Sequence, residues 1–244
     1  CFPIKLFDSR YHLIKTKISR KNKRKGYALN KIGDTFNSFY NNFLPFELTN
    51  AQKRVIKEIR KDIKGHYQMN RLLQGDVGSG KTLVALLSML IAIDNGFQSC
   101  LMAPTEILSI QHFTTIVEFM KNQNVNIQLL TGSTKTKQRK IIHEDLLSGK
   151  IDILIGTHAL LEDKVKFSNL AFVVIDEQHR FGVAQRAKLW TKNNFPPHIL
   201  VMTATPIPRT LSMTLYGDLD VSIIDELPPG RKAIKTIWKS DSSR

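Results

Sequence analysis

Gly75-Asp76-Val77-Gly78-Ser79-Gly80-Lys81-Thr82, followed further along by Phe172-Val-Val-Ile-Asp176-Glu177-Gln-His179, decides how this chain is read. The first stretch fits GxxxxGK(S/T), a loop whose successive backbone N–H groups make an anion-binding nest ahead of a helix with its positive end toward the anion. Gly75, Gly78 and Gly80 can take backbone angles that a Cβ forbids, so the loop, with Asp76, Val77 and Ser79 between them, can close around phosphates. Lys81 supplies a point charge for the β- and γ-phosphates, and the Thr82 hydroxyl is a ligand for Mg²⁺. Residues 69–74 read as a short strand before the loop and 83–93 as a helix after it, the order the mechanism requires. The fold that begins here is α/β.

The second stretch starts in an apolar run, residues 170–175, suited to a strand buried on both faces, and stops at two adjacent carboxylates. They emerge at the carboxyl edge of a sheet, where open α/β folds bind ligands. Asp176 then holds the Mg²⁺ shell and Glu177 orients and deprotonates an attacking water. A nucleoside triphosphate and Mg²⁺ are what this pairing calls for, with Lys81, Asp176 and Glu177 as the catalytic set.

The chain has 244 residues, a formal charge of +15 and a pI near 9.9. Residues 1–64 carry 16 Lys and Arg against 5 Asp and Glu, which leaves 20 against 16 for the rest, so the excess sits at the N-terminal end. Lys15, Lys17, Arg20, Lys21, Lys23, Arg24 and Lys25 are its densest run. Such a run serves a nucleic-acid backbone or is a solvated helix face, and both readings stand. Cys1 and Cys100 form no disulfide framework, which fits a reducing compartment. No apolar stretch reaches bilayer-spanning length and no signal-peptide core opens the chain, so membrane insertion and export are not expected.

Phe7, Tyr11, Ile14 and Ile18 recur at helical spacing, as do Leu29, Ile32, Phe36, Phe39 and Phe43, predicting two helices before Pro45. Thr49 reads as the N-cap of a third, over 51–64, with Val55, Ile56, Ile59 and Ile63 inward. From Met69, strands over 98–103, 126–130, 151–156, 170–175 and 199–203 alternate with helices over 106–121, 137–148, 184–192 and 208–215. That alternation predicts a mainly parallel sheet with helices on both faces. Residues 227–230 read as a turn into a strand over 233–238.

With Leu44-Pro-Phe46-Glu-Leu-Thr-Asn-Ala-Gln52, Met102-Ala-Pro104-Thr105-Glu106-Ile-Leu108, Arg180-Phe-Gly-Val183 and Thr203-Ala-Thr205-Pro-Ile-Pro-Arg-Thr210 added, the chain resembles the first motor domain of a superfamily 2 DNA helicase over about residues 44–237. Transcription-repair coupling factors share some of these segments. The stretches 214–220 and 228–232 and the box Asp-Glu-Gln-His set the chain apart from them, on the side of motors that remodel branched DNA. The resemblance implies a RecA-like P-loop NTPase domain over 44–232, a basic helical linker over 1–43 leading from a wedge domain, and over 233–244 the start of a connection to a second motor domain.

It also implies an ATP-dependent helicase that regresses stalled forks and Holliday junctions in replication-coupled repair and recombination. Such a protein is bacterial, cytoplasmic, nucleoid-associated and monomeric, and has DNA as partner. A piece without the second motor domain should hydrolyse ATP poorly. By residue, the resemblance gives Phe46 and Gln52 to adenine, as stacking ring and amide; read from the sequence alone, Phe46 would be a hydrophobic staple and Gln52 a surface helix residue. Pro104, Thr105 and Glu106, Thr131, Gly132 and Ser133, and Gly156, Thr157 and His158 fall to the DNA-contacting loops. His179, Thr203 and Thr205 couple hydrolysis to movement.

Two other classes fit parts of the pattern. A nucleotide-gated DNA- or partner-binding module explains the loop but leaves Glu177 without work. A small-molecule P-loop kinase leaves Gln52 and Thr203-Ala-Thr205 unexplained.

Overall fold

A computed structural model of the chain describes residues 24–176, 195–205 and 219–226. Among the described residues, seven strands build one sheet: β1 Asn70–Gly75, β2 Gln98–Met102, β3 Ile127–Leu130, β4 Ile153–Gly156, β5 Leu170–Asp176, β6 His198–Thr203 and β7 Asp220–Ile224. Their spatial order is β3-β4-β2-β5-β6-β1-β7 and every pairing is parallel. The helices among the described residues are α1 Asp34–Asn42, α2 Asn50–Ile63, α3 Lys81–Asp94, α4 Glu106–Met120 and α5 Thr136–Leu147.

Side chains on a strand alternate between faces, so each central strand feeds two cores. Leu73, Leu101, Phe172, Val174, Leu200 and Met202 meet the layer made by α1 to α4. Leu72, Cys100, Val173, Ile175, Ile199 and Val201 meet the other layer, with Ile142 and Leu146 of α5 and a 3₁₀ turn at His158–Leu161. The parallel α/β sheet with helices on both faces is therefore present. Helix α3 is buried at every residue from Leu83 to Ala92. It lies between the sheet and an outer tier of α1 and α2, which is why its sequence has no polar face.

Differences from the sequence expectation have local causes. The aromatic spacing from Leu29 predicts one long helix, yet α1 starts at Asp34. Its N-cap, Gly33, has no side chain to offer, and Asp94 at the end of α3 substitutes: its carboxylate accepts from the N–H groups of Gly33 (2.9 Å), Thr35 (3.1 Å) and Phe36 (3.0 Å). Leu29 is buried outside any helix, with its N–H donating to the Ile63 carbonyl at 2.8 Å. Edge strand β7 is short, starts on a charge and is only partly buried, so no alternation marks it. Arg71 of β1 docks it, donating to Ser222 Oγ at 2.6 Å while pairing with Asp62 at 2.5 Å.

At the opposite, amino edge of the sheet, His198 is buried between two backbone groups. Its Nδ1 accepts from the Met69 N–H at 2.9 Å and its Nε2–H donates to the Tyr27 carbonyl at 2.7 Å. Burial pushes the imidazole down to about 4, against the weaker upward pull of the Tyr27 bond and of Asp62. The helices expected over 7–18, 184–192 and 208–215, the strand over 233–238 and nearly all of the basic run lie outside the described residues.

Candidate nucleotide site and nucleic-acid face

Strands β1, β6 and β5 lie side by side, with Gln74 opposite Thr203 and Met202 opposite Asp176. The glycine-rich loop after β1, the Thr203-Ala-Thr205 turn and the Asp176 carboxylate therefore leave the sheet at one carboxyl edge, as open parallel sheets place ligand sites. In the loop, Gly78 and Gly80 adopt φ of 78° and 84°. A Cβ on Gly75 would meet Ser79 Oγ at 2.5 Å. The Ser79 N–H donates to the Asp76 carbonyl at 3.0 Å. Lys81 Nζ donates to the carbonyls of Gly75 (2.6 Å) and Asp76 (2.9 Å), so the loop holds its own cation.

Asp176 is the last residue of β5 and shares the face of Phe172 and Val174, the side on which α3 begins with Lys81 and Thr82. A hydroxyl and a carboxylate are hard oxygen donors of the kind Mg²⁺ takes with phosphate oxygens and water. Thr82 and Asp176 thus fit a Mg²⁺ shell by chemistry and by element. Glu177 and His179 lie outside the described residues.

Gln52 is fully buried rather than a surface residue. Its Oε1 accepts from the Thr49 N–H at 2.9 Å, completing a capping box with Thr49 Oγ1, and its Nε2 donates to the Ser79 carbonyl at 2.8 Å. One amide therefore clamps the start of α2 to the glycine-rich loop. Glu226, just past β7, holds the same helix end by accepting from the Ala51 N–H at 3.0 Å. Phe46 is exposed by 39%, while Leu48 beside the cap is buried, so Phe46 is no staple.

Thr203 Oγ1 lies 2.9 Å from Thr205 Oγ1 and accepts from the Thr205 N–H at 3.2 Å. These bonds fold the three residues into a compact turn beside Asp176. The sequence gives no hint of a further neighbour: His112, on the second turn of α4, places Nε2 2.8 Å from Asp176 Oδ2.

A second cluster gathers at the ends of β2, β3 and β4. Thr105 caps α4, its hydroxyl accepting from the Leu108 N–H at 3.3 Å. Glu106 Oε1 accepts from Thr131 Oγ1 at 2.9 Å and closely from Ser133 Oγ. Those two bonds, Ser133 first, hold the Glu106 carboxyl below the usual carboxylate range. Arg139 of α5 donates to the Thr131 carbonyl at 2.7 Å and pairs with Glu162 at 3.2 Å. The Ala103 N–H reaches the Gly156 carbonyl at 2.9 Å, and Gly156 has no room for a Cβ against the Leu130 carbonyl.

Pro104 is half-buried; Gly132, Ser133 and His158 are exposed; Thr157 is buried, its hydroxyl without a hydrogen-bond partner in this structure. All nine residues expected at DNA-facing loops thus lie at one end of three neighbouring strands. Arg139 was missed because inside a predicted helix it reads as one more solvated base.

The DEAD/DEAH box helicase profile matches residues 49–214. The chain is 57% identical over 194 residues to the ATP-dependent DNA helicase RecG of Aquifex aeolicus, covering 79% of this chain and 24% of that protein. To its Bacillus subtilis counterpart it is 56% identical over 195 residues, 80% of this chain and 28% of the other. Among solved structures it is similar to RecG bound to a three-way DNA junction, with a TM-score of 0.77 and 45% identity over 90% of this chain and 29% of that one. The DNA-bound helicase MrfA, at 18% identity and a TM-score of 0.61, shares the fold. The chain spans about a quarter of the length of the curated relatives it matches. Among the described residues, no helix is long and apolar enough to cross a membrane.

Proposed function

The chain belongs to the DEAD/DEAH box helicase family, and from that premise we propose that it is the first motor domain of a RecG-type helicase, which spends ATP to remodel branched DNA such as stalled forks and Holliday junctions. The observation that carries this reading is the shared carboxyl edge. One half holds the phosphate-binding loop, Asp176 and Thr203-Ala-Thr205; the other holds Thr105, Thr131, Ser133 and Gly156 to His158.

In this reading Phe46 stacks on the adenine and Gln52 gives it an amide, which requires one of the two bonds that now occupy that side chain to yield. Lys81 turns from the Gly75 and Asp76 carbonyls to the phosphates. Thr82 and Asp176 would hold Mg²⁺, which would supply positive charge against the transferring phosphoryl group. Glu177 orients and deprotonates the water. On the DNA half, hydroxyls and backbone N–H groups grip phosphates without reading bases. His179, Thr203 and Thr205 pass the state of the nucleotide to that grip, and arginines of a second motor domain complete the site. The protein works as a monomer at the bacterial nucleoid.

The test is conversion of a synthetic replication fork to its regressed products by the full-length helicase. Product should form with ATP and Mg²⁺ and fail to form with a non-hydrolysable analogue. Fork binding with no ATP-dependent product would refute the motor and favour a nucleotide-gated module.

A further inference from the structure

Asp176 has one of its oxygens engaged by a residue that nothing in the motifs assigns. His112 Nε2 lies 2.8 Å from Asp176 Oδ2, and each side chain is 13% exposed. An ionised carboxylate can only accept, so Nε2 carries the hydrogen. His112 lies on the buried stripe of α4, between Ser109 and Ile116, both fully buried. The helix is therefore fixed along that stripe and the imidazole has little freedom to wander. Six residues earlier, about 9 Å along the axis, the same helix carries Glu106, which holds the hydroxyls of Thr131 and Ser133.

We propose that His112 is a positioning residue for the metal-binding carboxylate: it fixes Asp176 through Oδ2, leaves Oδ1 for the Mg²⁺ shell, and ties that carboxylate to the helix whose N-terminus organises the DNA-facing loops. This rests on the ATPase reading above. Partners of metal-binding side chains that lie one bond away from the ion set the orientation of the ligand, and their loss commonly lowers metal affinity ten- to a hundredfold. His112 touches neither nucleotide nor water and acts through Asp176.

The test is a Mg²⁺ titration of the full-length helicase, read by the fluorescence of a bound N-methylanthraniloyl-ADP, with no turnover involved. His112→Ala should raise the Mg²⁺ concentration at half-saturation by roughly tenfold or more. His112→Gln, whose amide Nε2 can donate to the same oxygen, should return it to within about threefold. Nucleotide binding in EDTA and the thermal midpoint should stay close to wild type for both. If His112→Ala fails to fold, His112→Asn, whose shorter amide stops short of Oδ2, carries the same expectation.

An unchanged Mg²⁺ midpoint in the Ala or Asn variant overturns the proposal. So does a shift that Gln fails to rescue, or one matched by an equal loss of binding in EDTA. If the wild type binds the nucleotide with no Mg²⁺ dependence, the ATPase reading falls instead.

Discussion

The two halves of the carboxyl edge are built in opposite ways. The nucleotide half is dense in sequence: eight consecutive residues make the loop, and its cation and first carbonyl are six positions apart, Lys81 to Gly75. The half proposed to face DNA is dispersed. Glu106, Thr131, Ser133, Arg139 and Glu162 come from separate loops and helices and meet only after folding. A compact motif closes on itself and tolerates changes around it; a dispersed cluster depends on the few side chains that span its loops.

The largest effect that could break this contrast comes from the dense half. Lys81→Ala should lower ATP turnover by the full-length protein by about a hundred- to a thousandfold, measured as phosphate release with saturating fork DNA. Loss of less than tenfold would mean that the loop does not need its cation.

Next is a control at the amino edge, distant from both halves. His198 is held neutral in the fold, so below the unfolded value near 6.5 the unfolded chain takes up a proton that the folded chain refuses down to about 4. Stability is therefore full above pH 6.5, is lost as pH falls between 6.5 and 4, and levels off below. The loss is roughly 3 kcal/mol, to be read from urea midpoints at pH 7.5 and 4.5. His198→Gln should flatten that dependence. If it leaves the slope unchanged, the acid sensitivity belongs elsewhere.

The dispersed half should show a smaller, more selective effect. Arg139→Ala removes the side chain joining Thr131 to Glu162, and the fork concentration at half-maximal stimulation of turnover should rise about tenfold, the equivalent of 1.4 kcal/mol. An unchanged value would reduce Arg139 to a surface ion pair. Smallest is Glu106→Gln, which keeps an oxygen able to accept from both hydroxyls and should change that concentration less than about threefold. Glu106→Ala, which keeps none, should shift it as far as Arg139→Ala.

The same contrast explains what could be read in advance. Gly75 to Thr82 and the apolar run ending at Asp176 are local patterns with local causes, so strand, loop, helix and buried strand were all legible. Helix α2 was legible too, since its N-cap, Thr49, lies one residue before it, although the Gln52 half of the capping box was not. The start of α1 was not, because its cap is Asp94, far along the chain. Gln52 was assigned by resemblance, but its burial against Ser79 depends on how α2 crosses the loop. His112 and Arg139 are ordinary helix residues until the sheet brings Asp176 and Thr131 beside them. Strand β7 carries too little apolar periodicity to announce itself.

The proposal at the centre is that Asp176, the last residue of β5, and Glu177 drive hydrolysis that branched DNA switches on. It is tested most directly by ATP turnover of the full-length helicase, with and without fork DNA, in wild type and Glu177→Gln. The fork should stimulate wild type, and the variant should lose nearly all turnover while fork binding persists. Turnover retained by Glu177→Gln would contradict it.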